Sequence, residues 1–143
     1  MENRQNKMRL VFSAIPENEA FARATVAAFC VSLSPTIEEL NDVKMAVSEA
    51  VTNCIVHAYK EQEGEVFIDT EICDNVLHIK VSDTGAGIAS VSEAIKPFFT
   101  TCPEGERSGM GFTVMETFMD ELDVVSNVGV GTQVAMKKKF YGR

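Results

Sequence analysis

Two pairs of apolar stretches joined by tight turns constrain the fold of this chain more than any other feature of its sequence. Residues 65–73 and 76–83 flank an Asp-Asn turn, and residues 121–128 and 131–140 flank a turn built on glycines. Strands joined by connections this short pair in an antiparallel manner. The sequence therefore predicts a sheet that is mainly antiparallel.

One more strand and two long helices precede these hairpins. Residues 8–13 predict a strand, and a proline suited to a first helical turn begins a helix over residues 16–33. A Ser-Pro pair ends this helix. Thr36 and Glu39 then form a capping box at the start of a second helix, which extends to about residue 59. Both helices are expected to cover one face of the sheet.

The segment between the two hairpins combines helical stretches with a long connection. Residues 89–95 predict a short helix, residues 96–109 have no period and predict a loop, and residues 110–119 predict a third helix. A loop of this length in a compact domain is usually a lid or a binding segment. The order β-α-α-β-β-α-β-β predicts a single domain, residues 1–143, of the α+β class. We expect a two-layer α/β sandwich with a mixed, mainly antiparallel sheet, helices on one face and a lid.

An excess of acidic residues narrows the range of binding partners. The 143 residues include 13 Lys and Arg against 21 Asp and Glu, which gives a net charge of −8. Nucleic acids and anionic membranes bind dense basic surfaces, so neither is an expected partner. If the ligand is a nucleotide, something other than net charge must hold its phosphates.

The cysteines and the apolar pattern predict a reduced, soluble, cytoplasmic protein. None of the four cysteines forms a C-x-x-C pair or matches the spacing of a zinc site. Cys30, Cys54 and Cys73 lie in apolar stretches and are interpreted as small core residues. The first residues lack the apolar region of a signal peptide, and no apolar run approaches the roughly 20 residues of a membrane span.

The second helix carries a carboxylate and an amide opposite its apolar stripe. The stripe, expected to pack on the sheet, consists of Leu40, Val43, Val47, Val51, Cys54, Ile55 and Ala58. Glu49 and Asn53 lie on the other side, one helical turn apart, so their side chains point the same way. Both fit a solvated surface. Met45, Ala46 and Val56 share their side, however, and small apolar neighbours favour the wall of a pocket.

Three glycine motifs follow, each of them weak alone. D-x-G-x-G at residues 83–87 ends an apolar strand, where a carboxylate can accept the exocyclic amine of adenine and glycines let the backbone approach a flat ring. R-S-G-M-G at residues 107–111 precedes a helix whose free N–H groups can hold an anion. G-x-G-T at residues 129–132 adds a hydroxyl, or is only the turn of the hairpin. Neither a P-loop nor a dinucleotide-binding motif occurs.

The motifs in this order are much more specific than any one of them. E-x-x-x-N, D-x-G-x-G, a loop, G-x-G and G-T together resemble the ATPases and kinases that include gyrase B, Hsp90, histidine kinases and MutL. The stretches ENEAFARATVAAF, VSEAVTNCIVHAY, FFTT and ERSGMGFTVMETFMDEL are similar to the small bacterial anti-sigma serine kinases of the sporulation type. The resemblance implies a Bergerat-type ATP-binding fold. The chain departs from the family pattern at Cys102, where a lysine is expected.

This resemblance implies roles for individual residues. Glu49 is expected to be the general base that orients a serine hydroxyl, Asn53 to bind Mg²⁺, and Asp83 to hold the adenine amine. Arg107 is expected to stabilise the transferring phosphoryl group, although it fits equally well as a solvated loop cation. The expected contacts with ATP or ADP are Asn53, Asp83, Gly85, Gly87, Thr100, Thr101, Ser108, Gly109, Met110, Gly111 and Thr132.

The resemblance also implies protein partners. A sporulation sigma factor of the sigma-F type would be bound and inhibited, and an anti-anti-sigma antagonist would be phosphorylated on a serine and thereby released. A homodimer is expected. The alternatives are a general-stress kinase with the same chemistry and an ATP-gated sigma-binding module without catalysis.

The first helix offers the expected partner surface. Its packing stripe is predicted to include Phe21, Thr25 and Ala28. The other side carries Glu19, Arg23, Val26, Ala27 and Cys30. This side is interpreted either as an exposed patch with Arg23 as the anchor for a protein partner, or as a surface covered in a homodimer or under the sheet edge.

Overall fold

The computed structural model describes residues 5–59, 63–87 and 111–142, which form a layer of helices on one face of a five-stranded sheet. The strands are β1 (Gln5–Ser13), β2 (Glu65–Cys73), β3 (Val76–Asp83), β4 (Glu121–Asn127) and β5 (Gly131–Lys139). The helices are α1 (Glu17–Phe29) with a 3₁₀ turn over Cys30–Leu33, α2 (Ile37–Thr52) with a π-helical turn over Asn53–Ala58, and α3 (Phe112–Phe118). The predicted order of these elements and the α+β class are confirmed. The helix predicted at 89–95 and the loop predicted at 96–109 lie outside the described residues.

The strands follow the order β1-β2-β3-β5-β4, and each neighbouring pair is antiparallel. Both predicted hairpins are present, but β3 pairs with β5, and β4 lies at the edge. This pairing puts Asp83 at the end of β3 directly opposite Thr132 near the start of β5. The sheet formed by the described strands is therefore antiparallel throughout, rather than mixed.

Branched apolar side chains fill the space between the sheet and α2. Val43, Val47 and Val51 of α2 are fully buried, as the predicted stripe requires. Their partners in the core include Val66, Ile68, Ile72, Leu77, Ile79, Val81, Val134 and Met136 of the sheet. Burial of one side chain of this size stabilises the fold by about 1.5–3 kcal/mol. The position of α2 on the sheet is thus fixed, and with it the direction of the residues on its other side.

Glu39 secures the start of α2 and also holds a distant part of the chain. The capping box is confirmed: the Thr36 hydroxyl accepts from the Glu39 N–H at 3.0 Å, and the Glu39 carboxylate accepts from the Thr36 N–H at 3.0 Å. The same carboxylate accepts from the backbone N–H groups of Tyr141 at 2.8 Å and Gly142 at 3.2 Å. Burial opposes the charge, but these N–H groups and nearby Lys138 outweigh it and lower the pKa of Glu39.

The predicted faces of α1 are wrong. Phe21, assigned to the packing stripe, is 51% exposed, and Ala28 is exposed too. Val26, Ala27 and Cys30, from the side predicted to be a patch or covered surface, are buried instead, together with Ala22, which was assigned to neither side. The reason is that α1 packs beside α2, where small side chains allow two helices to approach closely. The size of Phe21 favoured the opposite assignment.

Candidate functional site

The last turn of the second helix is wider than an α-helix. The Tyr59 N–H donates to the Cys54 carbonyl at 3.1 Å, which is the i to i+5 bond of a π-helical turn. Turns of this kind occur mostly as single interruptions and frequently at functional sites. Here the turn begins at Asn53, and it directs Asn53, Cys54, His57 and Ala58 toward one pocket.

Asp83 is the buried carboxylate of that pocket and is only 8% exposed. Its Oδ1 accepts from the Gly85 N–H at 2.9 Å and from the Thr132 N–H at 3.3 Å. Cys54 lines the same pocket. Burial, followed by the charge and the hydrogen bond of Asp83, raises the pKa of Cys54 well above its ordinary value, so this thiol keeps its proton.

The loop after β3 is attached to the end of the second helix through Gly85. A Cβ at this position would lie 2.5 Å from the Ala58 carbonyl oxygen, so a side chain larger than hydrogen does not fit. The next N–H, that of Ala86, donates to the same oxygen at 2.9 Å. The loop is also joined to the β4–β5 turn, because the Gly129 N–H donates to the Ala86 carbonyl at 2.7 Å. Three separate parts of the chain thus form one pocket edge.

Glu49 lies against the start of α3. It is half-buried and one turn before Asn53 on the same helix. Gly111, at the N-cap of α3, has a φ of +68°, and a Cβ there would collide with the Glu49 carboxylate. The left-handed backbone favours glycine, and a methyl group there fits only if the Glu49 carboxylate moves away. The carboxylate predicted to act as a base is therefore in contact with the backbone predicted to hold phosphates.

Asn53 is a candidate ligand for a divalent cation in the described part of the pocket. The side-chain oxygen of Asn53 is buried. The segments 5–59, 63–87 and 111–142 contain no group of three or more His, Cys, Asp or Glu residues that could hold a metal. Mg²⁺ commonly takes one or two protein oxygens and completes its shell with water and substrate phosphates. The donor present fits Mg²⁺ bound together with a nucleotide.

A wider concavity lies on the open face of the sheet, away from the helices. Two of its cations pair with carboxylates on neighbouring strands: Arg9 Nη1 lies 3.3 Å from Asp69 Oδ1, and Lys137 Nζ lies 3.4 Å from Glu121 Oε1. A surface whose cations are matched by carboxylates attracts phosphate weakly. The pocket at Asp83 is therefore the better candidate for a nucleotide.

Arg23 joins α1 to the residue that precedes Glu49. Its Nη1 lies 2.8 Å from Glu19 Oε2 and 3.2 Å from Ser48 Oγ, and the Ser48 hydroxyl donates to Glu19. The Arg23 side chain is 40% exposed. The predicted partner anchor is thus accessible, although it lies at the junction of α1 and α2 and not on an exposed apolar patch.

Comparison with known proteins agrees with this geometry. Residues 12–138 match the model of a family described as the histidine kinase-like ATPase domain. The anti-sigma F factor of Clostridium acetobutylicum is 56% identical over 136 residues, which cover 95% of each chain. The chain belongs to the anti-sigma F factors, within the histidine kinase-like ATPases. The anti-sigma F factor of Geobacillus thermodenitrificans is 57% identical over 135 residues, 94% of this chain and 92% of that protein.

Solved structures share the fold of this anti-sigma F family member. The RsbU and RsbW domains of Rv1364c from Mycobacterium tuberculosis align with a TM-score of 0.66 at 14% identity, over 94% of this chain and 32% of that one. The catalytic domain of the histidine kinase ThkA aligns with a TM-score of 0.58 at 14% identity, over 93% of this chain and 96% of that one. Within the described segments, no helix has both the length and the apolar character needed to span a bilayer.

The structure brings together part of the site predicted from the sequence. Four predicted residues line the pocket: Asn53, Asp83, Gly87 and Thr132. Gly85 closes its edge, while Glu49 and Gly111 meet beside it. The remaining predicted residues lie outside the described segments and stay predictions: Thr100, Thr101, Arg107, Ser108, Gly109 and Met110.

Several lining residues were missed as contributors to the site. They are Cys54, His57, Ala58, Val81, Phe112 and Val134. Cys54 and Ala58 were assigned to the core stripe, because a regular α-helix directs these positions toward the sheet. The π-helical turn directs the residues of this turn toward the pocket, and no residue pattern in the sequence predicts such a turn.

Proposed function

We propose that this chain binds and inhibits a sigma factor of the sigma-F type, and that it is an ATP-dependent protein-serine kinase acting on an antagonist of that complex. The names of its relatives support the first part. The second part rests on one observation, the contact of the Glu49 carboxylate with the backbone at Gly111 beside the pocket that holds Asp83. We place both activities in the cytoplasm, where transcription is regulated.

The proposed reaction transfers the γ-phosphoryl group of ATP to a serine hydroxyl. Glu49 accepts the hydroxyl proton as the serine oxygen bonds to the γ-phosphorus, and the bond from that phosphorus to the oxygen bridging to the β-phosphate breaks, which leaves ADP. Positioning is the main requirement, because this chemistry needs alignment and charge neutralisation rather than a covalent enzyme intermediate.

The remaining residues are proposed to bind ATP. Asp83 accepts the amino group of adenine, and the glycine loop after β3 shapes the pocket around the ring. Asn53 holds Mg²⁺, which supplies charge neutralisation at the phosphates when it is bound. Gly111 and the predicted N–H groups before it hold the phosphates, with Arg107 as a further cation.

A phosphorylation assay tests the kinase proposal. The protein is incubated with radiolabelled ATP, Mg²⁺ and the candidate antagonist, and phosphoserine is identified by mass spectrometry. We expect label on a serine of the antagonist with the wild type and none with Glu49→Gln. ATP binding without phosphoserine in the wild type would instead identify an ATP-gated binding module.

A binding assay tests the partner proposal. The net charge of −8 suits attraction to a basic partner, such as the DNA-binding regions of a sigma factor. We expect binding of a sigma-F type factor to weaken with rising salt and with Arg23→Ala, while ATP affinity is retained. Preference for a general-stress sigma factor would overturn the sporulation assignment, and light scattering of the same samples tests the proposed homodimer.

A further inference from the structure

A buried tyrosine hydroxyl joins the end of the second helix to the loop that follows β3. Tyr59 ends the π-helical turn and is only 9% exposed. Its hydroxyl accepts from the Thr84 N–H at 2.9 Å and donates to the Glu65 carbonyl at 2.7 Å. The Thr84 hydroxyl lies 3.3 Å from the same oxygen. One phenol group thus contacts the start of β2 and the residue that lies between Asp83 and Gly85.

These contacts place the hydroxyl next to the carboxylate proposed to recognise adenine. Thr84 directly follows Asp83, and the Gly85 N–H donates to Asp83 Oδ1 at 2.9 Å. The loop has two bonds to the end of the second helix, one from the Thr84 N–H to the phenol and one from the Ala86 N–H to the Ala58 carbonyl at 2.9 Å. The phenol therefore holds the first residue of the loop, immediately after the strand that carries the carboxylate.

The ring that carries this hydroxyl fits closely against the backbone before β2. A Cβ at Gly64 would collide with the Tyr59 ring, so the absence of a side chain there makes room for the ring. The Gly64 carbonyl accepts from the Ala14 N–H at 2.9 Å, which joins this backbone to the end of β1. The ring is also part of the main hydrophobic core. A side chain packed in this way keeps one rotamer, so its hydroxyl is a fixed point for the loop.

We propose that Tyr59 is a positioning residue for base recognition, whose hydroxyl holds the loop after β3 in the place where Asp83 accepts the 6-amino group of a purine. Tyr59 is not one of the residues that line the described part of the pocket. It acts through the loop and does not contact the base. The inference rests on the proposed binding of ATP.

The test is Tyr59→Phe, which keeps the ring in the core and removes only the hydroxyl. Calorimetry compares ATP with purine riboside triphosphate, which lacks the 6-amino group and is otherwise the same ligand. The ratio of the two affinities measures the contribution of the amine. We expect this ratio to fall by about 3- to 10-fold, the net effect of one hydrogen bond, with little change in the affinity for purine riboside triphosphate.

Kinetics separate positioning from a general loss of structure. We expect Tyr59→Phe to raise the KM for ATP and to leave kcat at saturating ATP unchanged, because Glu49 and Gly111 belong to other elements. A fall in kcat with an unchanged KM would overturn the proposal. Urea unfolding of each variant confirms that the measurements are made on folded protein.

The chain offers a matched control for this substitution. It contains two tyrosines, and the second, Tyr141, is 81% exposed near the end of the chain. Tyr141→Phe removes the same atom from a surface position, and we expect it to leave the affinity ratio and KM unchanged.

Gly64→Ala tests the same hydrogen bond from the other side of the ring. The added methyl group displaces the ring and its hydroxyl, so we expect the affinity ratio to fall as in Tyr59→Phe. The double variant should show no larger fall than Tyr59→Phe alone, because both changes act through one contact. Additive falls would show that the two residues do not share this route.

The outcomes distinguish this inference from the proposed function. An unchanged ratio in Tyr59→Phe, or an equal loss of affinity for both nucleotides, would overturn the role of Tyr59 while ATP recognition stands. A wild type that binds both nucleotides equally would instead overturn the assignment of Asp83 to the adenine amine.

Discussion

Glu49 is the residue on which the proposed chemistry depends most directly. Its replacement by Gln keeps the size of the side chain and removes the charge that accepts a proton. We expect Glu49→Gln to lower the rate of phosphoryl transfer by about 10²- to 10⁴-fold, the usual contribution of a general base. ATP affinity, measured by calorimetry, is expected to stay close to that of the wild type.

The matched control is Glu116→Gln, which changes an exposed glutamate on α3. It alters the net charge of the protein by the same amount and should leave transfer intact. Normal kinase activity in Glu49→Gln would remove Glu49 from the role of base.

Asp83 carries the second prediction at this scale. Asp83→Asn replaces a carboxylate, which only accepts hydrogen bonds, by an amide with one accepting oxygen and one donating nitrogen. If the amide oxygen accepts from the Gly85 and Thr132 N–H groups, the nitrogen takes the position of the second carboxylate oxygen. Loss of a charge-assisted hydrogen bond to the amine lowers ATP affinity by about 10- to 100-fold. Asp123→Asn, on an exposed position of β4, is the control. Equal calorimetric affinity in the two variants contradicts the assignment.

The sequence predicts the charged part of the site better than its shape. Helical spacing places Glu49 and Asn53 on one side of the second helix, and Asp83 is marked by the glycines that follow it, but the expected roles of all three come from the family resemblance carried by the order of the motifs. The contributions of Cys54 and His57 depend on one extra residue in a helical turn. The end of that turn makes a tertiary contact, because the Ala58 carbonyl accepts from the Ala86 N–H, and local propensity does not specify this contact.

At the scale of elements, two glycines share a left-handed backbone but differ in their surroundings, so a comparison of their variants separates the effect of backbone strain from the effect on the reaction. Gly111 has a φ of +68° and meets Glu49, whereas Gly129 has a φ of +81° and nothing within 4 Å of an added Cβ. Replacement of either by Ala costs about 1–2 kcal/mol of the free energy of unfolding, because of the left-handed backbone. Glu49 is flexible at its end, so it moves away from an added methyl group at Gly111.

We therefore expect similar urea midpoints for Gly111→Ala and Gly129→Ala, and loss of phosphoryl transfer in Gly111→Ala alone. Equal activities of the two variants would show that the contact between Glu49 and the start of α3 has no role in the reaction.

Element boundaries and pairings differ in how far the sequence determines them. The bounds of β2 and β3 and the capping box of α2 are local features and were predicted correctly. The pairing of β3 with β5 and the buried face of α1 depend on what lies beside each element, which composition along the chain does not encode. The direct neighbour of α1 is another helix, and the size of Phe21 gave no information about that.

For the molecule as a whole, acid is expected to loosen the bond between the start of α2 and residues 141–142. The lowered pKa of Glu39 means that the folded state favours its charged form more than the unfolded chain does. The stability it adds is complete above the ordinary glutamate value of about 4.3 and is lost as the pH falls through the lower folded value.

Glu39→Gln is expected to lower the urea midpoint at neutral pH and to flatten its dependence on pH in this acid range. Glu38→Gln is the matched control, because Glu38 is an exposed neighbour in the same helical turn. If both variants keep the acid slope of the wild type, the carboxylate at position 39 does not link stability to pH.

Because β3 pairs with β5, the last strand of the sheet along the chain, the pocket forms late in synthesis and folding. Asn53, Asp83 and Thr132 come from distant parts of the chain, so no short fragment contains the pocket. During synthesis the nucleotide has no complete site until β5 has left the ribosome and joined the sheet. Since ATP then binds the folded state and not the unfolded chain, it stabilises only molecules whose synthesis and folding are complete.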